Sequence, residues 1–264
     1  MKYKEIAVVT GANKGLGFET CKQLKELGMH VILTARDGAK AKRSAELLNS
    51  PDSNVSWAVL DVTDITSISD FTKEFGAKYN SLDVLINNAA IAINDKFDET
   101  SVRLTIQTNF FGPLNVTEAL LPFMHRGSRI VMVSSIMGQL SCLSKELRLR
   151  FDSPSLTKSE LIGLMQEFVH SVGDGTYSKK GWPSSAYSVS KAGLNMLTRI
   201  LAKELSARGI IVNSVHPGWV RTDMGGHSAP LDIKTGAKSI VWAATIPPDG
   251  PTGGFFHNGK PMQW

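Results

Sequence analysis

The sequence predicts an α/β fold: a single doubly wound Rossmann-type domain over residues 1–264, with a parallel sheet of about seven strands and a helical insertion at 139–180. Three observations predict it. Six short apolar runs, at residues 6–10, 30–35, 55–60, 82–87, 129–134 and 210–216, alternate with longer amphipathic stretches; this is the βαβ rhythm that yields parallel strands and right-handed crossovers. A glycine triplet, Gly11, Gly15 and Gly17, falls between the first apolar run and the first amphipathic stretch. The length of 264 residues suits one large domain with its own core.

Taken in order, the apolar runs are rich in β-branched residues and apolar on both faces, as strands covered by helices on both sides must be. The stretches at 18–27, 65–79, 97–124 and 184–207 read as helices, the first carrying Phe18, Cys21, Leu24 and Leu27 at helical spacing. From about 138 to 180 the pattern is helical and charged, with an apolar face of Leu161, Leu164, Met165 and Phe168 and no strand to extend the sheet. It reads as an insertion into the domain.

Composition narrows the function classes. Hydrophobic residues make up 42% and charged residues 20%, ordinary for a globular protein. Of 29 basic residues against 24 acidic, only Lys145, Arg148, Arg150 and the pair Lys179 and Lys180 cluster, so the net charge of +5 fits a pocket for an anionic cofactor and not a nucleic-acid face. Two distant cysteines and six scattered histidines support neither a disulfide framework nor a metal site. A strand starts almost at the first residue and no apolar run is long enough to span a bilayer, so neither a targeting leader nor a membrane partner is expected, and the cytoplasm is the expected location.

The loop Thr10-Gly-Ala-Asn-Lys-Gly-Leu-Gly17 carries the first chemistry. Gly11 permits the tight turn off the strand, Gly15 lets backbone approach a pyrophosphate, and Gly17 lets the following helix pack on the sheet, its free N–H groups facing the phosphates. The second strand ends Thr34-Ala35-Arg36-Asp37. A cation there, with Lys14 nearby, suits the 2′-phosphate of NADP(H); Asp37 is the alternative, an acid that would read a bare ribose if the register were shifted.

Tyr187 and Lys191 are four residues apart near the start of a helix and share a face. An ammonium beside a phenol is expected to favour the phenolate, giving an acid for ketone reduction and a base for alcohol oxidation. Ser134 and Ser135 end the fifth strand, where a hydroxyl can bond a carbonyl oxygen, though either could instead cap a turn. Asn87-Asn-Ala-Ala90 closes the fourth strand, Asn109 interrupts a helical stretch where a poor helix former implies a specific hydrogen bond, and Pro217-Gly218 follows the sixth strand. In the loop 219–230, Trp219, Met224 and His227 suggest an apolar substrate wall, or simply loop packing.

On these residues the chain resembles the short-chain dehydrogenase/reductase family over essentially its full length: the glycine loop, the Asp61 turn, Asn87-Asn88-Ala89, Asn109, Ser135, Tyr187 with Lys191, and the Pro217–Gly218 turn all match. Within the family it is similar to the monomeric NADPH-dependent carbonyl reductases, which share TGANKG-type loops, the TAR strand end, the run GWPSSAYxVxK and PGWVRTD. The resemblance implies that Tyr187 protonates the carbonyl oxygen, Lys191 tunes Tyr187 and holds the nicotinamide ribose, Ser135 orients the carbonyl, and Asn109 fixes a water in a proton relay. It implies NADP(H) binding by Gly11, Asn13, Lys14, Gly15, Leu16, Gly17, Arg36, Asp61, Val62, Asn87, Ala89, Tyr187, Lys191, Pro217, Gly218, Val220 and Thr222. Ser135, Trp219 and Met224 would meet a small-molecule carbonyl substrate. The 52 positions from Ser135 to Tyr187 exceed the usual gap, and in the monomeric members such an insertion covers the surface others use to oligomerise, so a monomer is expected. Ala90 departs from the family's usual glycine, with a cost if the backbone there needs positive φ. A reductase dedicated to one alkaloid or terpenoid ketone, and a catalytically silent NADP-binding sensor, are the alternatives.

Overall fold

The structure, a computed structural model, describes residues 5–49 and 54–264; residues 1–4, on which the expectation of a leaderless start rests, lie outside them. The strands are β1 (Ile6–Val9), β2 (His30–Ala35), β3 (Val55–Val59), β4 (Leu82–Asn87), β5 (Met124–Val133), β6 (Ile211–Val215), β7 (Phe255–His257) and β8 (Lys260–Met262). They form one sheet in the order β3-β2-β1-β4-β5-β6-β7-β8, parallel except for β8. The helices are α1 (Gly15–Glu26), α2 (Gly38–Leu48), α3 (Ile65–Lys78), α4 (Glu99–Ile106), α5 (Gly112–Leu120), α6 (Lys145–Phe151), α7 (Lys158–Gly173), α8 (Ala186–Glu204) and α9 (Ile233–Ala244).

Strand alternation divides the core. Val8, Ile32, Leu85, Ile130, Met132 and Val212 point to the face packed by α3, α4, α5 and α8. Ala7, Val9, Val31, Leu33, Val84, Ile86, Val131 and Val133 point the other way, against Cys21, Leu24, Ala41, Ile240 and Ala244 of α1, α2 and α9. Helix starts follow local chemistry: Asp37, Asp64, Ser185 and Asp232 cap α2, α3, α8 and α9, and capping boxes open α4 (Asp98 with Ser101) and α7 (Thr157 with Glu160).

The insertion contributes α6 and α7. Leu161, Leu164, Met165 and Phe168 are buried in the same cluster as α4 and α8, and Trp182 packs its ring on Phe151 and Phe168. Gly138, at the insertion's start, lies so close to α8 that a Cβ there would sit 2.5 Å from Lys191 Cβ.

The mostly parallel sheet of about seven strands is as expected; the described residues form eight, a three-residue hairpin pair, β7 and β8, closing the edge. One expectation is corrected. The stretch 97–124 is not one helix: a π-helical turn at Gln107–Phe111 separates α4 from α5, and β5 already begins at Met124. Pro113 supplies the reason, since the residue four after Asn109 has no N–H to close the α-helical bond to the Asn109 carbonyl. Helices α2 and α9 were not among the elements the sequence suggested.

Candidate active site

The candidate residues gather at the carboxyl edge of the parallel strands, where open α/β sheets bind ligands. At the end of β1, Gly11 and Gly15 both have φ of +60°, a region costly for side-chain-bearing residues. A Cβ on Gly11 would lie 2.8 Å from Ala89 Cα, and one on Gly17 would lie 2.5 Å from Asn88 Nδ2 and 2.8 Å from Ala12 Cα. Asn88, which sequence reasoning left out of the site, braces this loop: its Nδ2 donates to the carbonyls of Thr10 (2.8 Å) and Gly11 (3.2 Å). Thr10 Oγ1 in turn accepts from the N–H groups of Asn88 and Ala89 at 3.0 Å. The α1 N-terminus carries no side-chain cap, so its first N–H groups face the loop without a partner from the helix. A cradle emptied of side chains under uncapped N–H groups fits a pyrophosphate. Replacing Gly17 with alanine is expected to lower stability by about 1–3 kcal/mol and to abolish the thermal shift given by NADPH, as read by unfolding with and without the dinucleotide.

At the far end of the cleft, Arg36 is exposed just beyond β2 and has no ion pair among the described residues. Asp37 is committed elsewhere: its Oδ1 accepts from Lys40 N at 3.0 Å, and that bond, with the Lys40 charge, holds its carboxyl below the usual range. This disfavours the alternative in which Asp37 reads a ribose. Asp61 uses Oδ1 on Thr63 N–H (2.9 Å) and hydroxyl (2.7 Å). The Val62 side chain is buried against Gly112, so it can offer a cofactor only its backbone, and Asn87 Nδ2 turns inward to Thr117 (3.0 Å). Ala90 has no positive φ, so alanine there carries no backbone strain. Asn13 supplies its carbonyl to Ser44 (2.8 Å), and Lys14 forms an ion pair with Asp223 across the cleft.

At the catalytic end, Lys191 is buried and donates from Nζ to the Val133 carbonyl at 2.8 Å, 5.7 Å from the Tyr187 ring centroid. Burial pushes its pKa down to about 7. Burial raises the Tyr187 phenol above its ordinary value and outweighs the lowering influence of the Ser135 hydroxyl. Burial thus lowers the Lys191 pKa and raises that of Tyr187, the direction opposite to the phenolate expected from their spacing. Ser135 caps the turn Ile136–Gly138 by accepting from Met137 N at 3.2 Å. Asn109 is wholly buried; its Oδ1 accepts from Ile91 N (2.9 Å) while its Nδ2 donates to Ile91 O (2.9 Å) and Ser190 Oγ (3.0 Å). Its side chain thus ties the loop after β4 to α8.

Beyond β6, Gly218 has φ of +91°, and a Cβ there would overlap Leu231 at 2.3 Å. Val220 is buried, its methyls beside Gly236 of α9, where Leu16 also packs. The Thr222 methyl lies 3.8 Å from the Cβ position of Gly15, so the two loops face each other across the cleft. Trp219 and Met224 are exposed, although Trp219 Nε1 donates to Gly225 O at 2.9 Å. Ile136 and Met137, directly after Ser135, are exposed too; two adjacent apolar residues behind a strand-end serine were a sequence signal that went unread.

A glycine cradle for a dinucleotide beside a Ser–Tyr–Lys cluster defines a nucleotide-dependent oxidoreductase. The short chain dehydrogenase family model matches residues 5–145 and that of the enoyl-(acyl carrier protein) reductases matches 152–241. The chain belongs to the short-chain dehydrogenase family. It is 40% identical over 275 residues to carbonyl reductase (NADPH) 1 of Oryctolagus cuniculus, covering 99% of each chain. Among solved structures it is similar to salutaridine reductase from Papaver somniferum (TM-score 0.89, 32% identity, 97% and 100% of the two chains) and to menthone neomenthol reductase from Mentha piperita (TM-score 0.84, 32% identity, 97% and 99%).

Proposed function

We propose that this protein is an NADPH-dependent carbonyl reductase acting on ketones, aldehydes or quinones. The observation that carries the reading is buried Lys191, bonded to the Val133 carbonyl and 5.7 Å from the Tyr187 ring, beside the strand-end Ser135 on the same sheet edge as the glycine cradle. NADPH, when bound, supplies the hydride. Gly11, Gly15 and Gly17 admit its pyrophosphate, Arg36 meets the 2′-phosphate, Asp61 and the Val62 backbone face the adenine, and Pro217, Gly218, Val220 and Thr222 face the nicotinamide. Tyr187 donates its proton to the carbonyl oxygen, and its raised pKa keeps that proton in place until charge develops there. Ser135 orients the carbonyl, and Lys191, titrating near neutral pH, returns a proton to Tyr187. Asn109 fixes a water that links this relay to solvent. Trp219 and Met224, with Ile136 and Met137, form an apolar rim suited to a bulky carbonyl compound.

Among the described residues no helix is long and apolar enough to cross a membrane. The protein works as a cytoplasmic monomer, α7 covering α4 and α8 where a partner chain would otherwise pack.

The test is NADPH absorbance loss against quinones, diketones, cyclic ketones and aldehydes, with NADH in parallel. Turnover of many of these with NADPH supports a broad reductase, and turnover of a single cyclic ketone reveals a dedicated one. Tight NADPH binding with no turnover of any carbonyl would sink the reading. Arg36→Ala is expected to weaken NADPH binding by about 10- to 100-fold and leave NADH binding unchanged, measured as two dissociation constants.

A further inference from the structure

Behind the Pro217–Gly218 turn lies an imidazole pair that no step above uses. His257 ends β7, and its Nδ1 is 2.8 Å from the carbonyl oxygen of His216, the residue before the turn. A carbonyl oxygen only accepts, so Nδ1 carries the proton. Nε2 lies 3.1 Å from Asn258 Nδ2, so both ring nitrogens have a partner. The His257 Cε1 lies 3.5 Å from where a Cβ on Gly218 would sit, so the ring also backs the turn.

The platform under this ring is rigid. His216 N donates to Phe256 O at 2.8 Å, continuing the β6–β7 pairing. The hairpin turns through Asn258 and Gly259, with φ of 49° and 75°, and Asn258 N donates to the buried Ser239 hydroxyl of α9 at 3.0 Å. Trp242 of α9 packs on Phe256 with centroids 4.9 Å apart. The two imidazole centroids are 5.2 Å apart, and burial together with the His257 ring keeps His216 neutral, its pKa down to about 4.

We infer that His257 is a positioning residue: its Nδ1–H fixes the peptide plane that enters the Pro217–Gly218 turn, and through that turn it sets how tightly the cleft holds the nicotinamide end of NADPH. The inference rests on the reading that this turn faces the nicotinamide. Residue 257 thereby joins the C-terminal hairpin to cofactor affinity without touching the cofactor.

The test compares His257→Asn, His257→Gln, His257→Leu and Gly218→Ala by NADPH dissociation constant from protein fluorescence, by kcat at saturating NADPH, and by thermal midpoint. An asparagine amide nitrogen can take the place of Nδ1; that of glutamine cannot. Loss of one hydrogen bond predicts a dissociation constant about 5- to 10-fold higher for Leu and Gln, with kcat changed less, and a return to within about twofold of wild type for Asn. If Leu does not fold, the Asn and Gln pair decides alone. Equal weakening by Asn and Gln overturns the inference, since ring bulk would then be the cause. NADPH weakened by Gly218→Ala while every His257 variant binds normally overturns it and leaves the turn's role standing. Normal binding by all four variants overturns both.

Discussion

Tyr187→Phe is expected to lower kcat for carbonyl reduction by about 10²- to 10⁴-fold while leaving NADPH affinity within about twofold of wild type. The removed atom is the phenol oxygen, and the ring remains in its half-buried seat on α8, so the lost group is the proton donor. Steady-state kinetics with a separate NADPH titration distinguishes this from a binding defect. The raised phenol pKa adds a direction: at neutral pH Tyr187 holds its proton, which suits it to reduction, and alcohol oxidation is expected to need alkaline conditions. A pH profile of both directions on the wild-type chain reads this out.

Lys191→Met has two effects of opposite sign. Catalysis is expected to fall by about 10²-fold or more, because the group that resupplies the Tyr187 proton is gone. Stability is expected to rise. In the folded chain Lys191 titrates near 7, against an ordinary value of 10.5, so between those limits the unfolded chain binds a proton that the folded chain has released. Stability therefore increases with pH across that window, and the cost of burying the ammonium is fully present below it. A neutral side chain of similar length removes the cost: the gain is about 1–4 kcal/mol near pH 6 and vanishes as pH passes lysine's ordinary value. Chemical denaturation of both proteins at pH 6 and pH 10 measures it. A variant less stable than wild type at pH 6 would show that the bond from Nζ to Val133 O outweighs the buried charge.

The parts of the site legible in the sequence were those written in short-range spacing. Glycines at 11, 15 and 17, the Tyr187/Lys191 pair and the strand-end Ser135 each declare themselves within a few residues. What the sequence hid depends on distance or burial. Lys14 and Asp223 meet across 209 positions, and Asn88 braces the glycine loop from 77 away. The direction of the Tyr187 shift follows from how deeply both partners are desolvated, which spacing does not encode. Strands β7 and β8 are too short to show a period, yet they carry His257. The break between α4 and α5 was readable in principle, since Pro113 stands four residues after Asn109.

The central claim is hydride transfer from NADPH to a carbonyl carbon, and isotope tracing tests it most directly. NADPH deuterated at the transferring face of C4 is incubated with the wild-type chain and the best ketone of the substrate panel, and the alcohol is analysed by mass spectrometry. The account predicts an alcohol carrying a single deuterium on the carbinol carbon, and no such product from Tyr187→Phe within the same time. NADPH consumed without alcohol, or alcohol formed without deuterium when either C4 face is labelled, would contradict it.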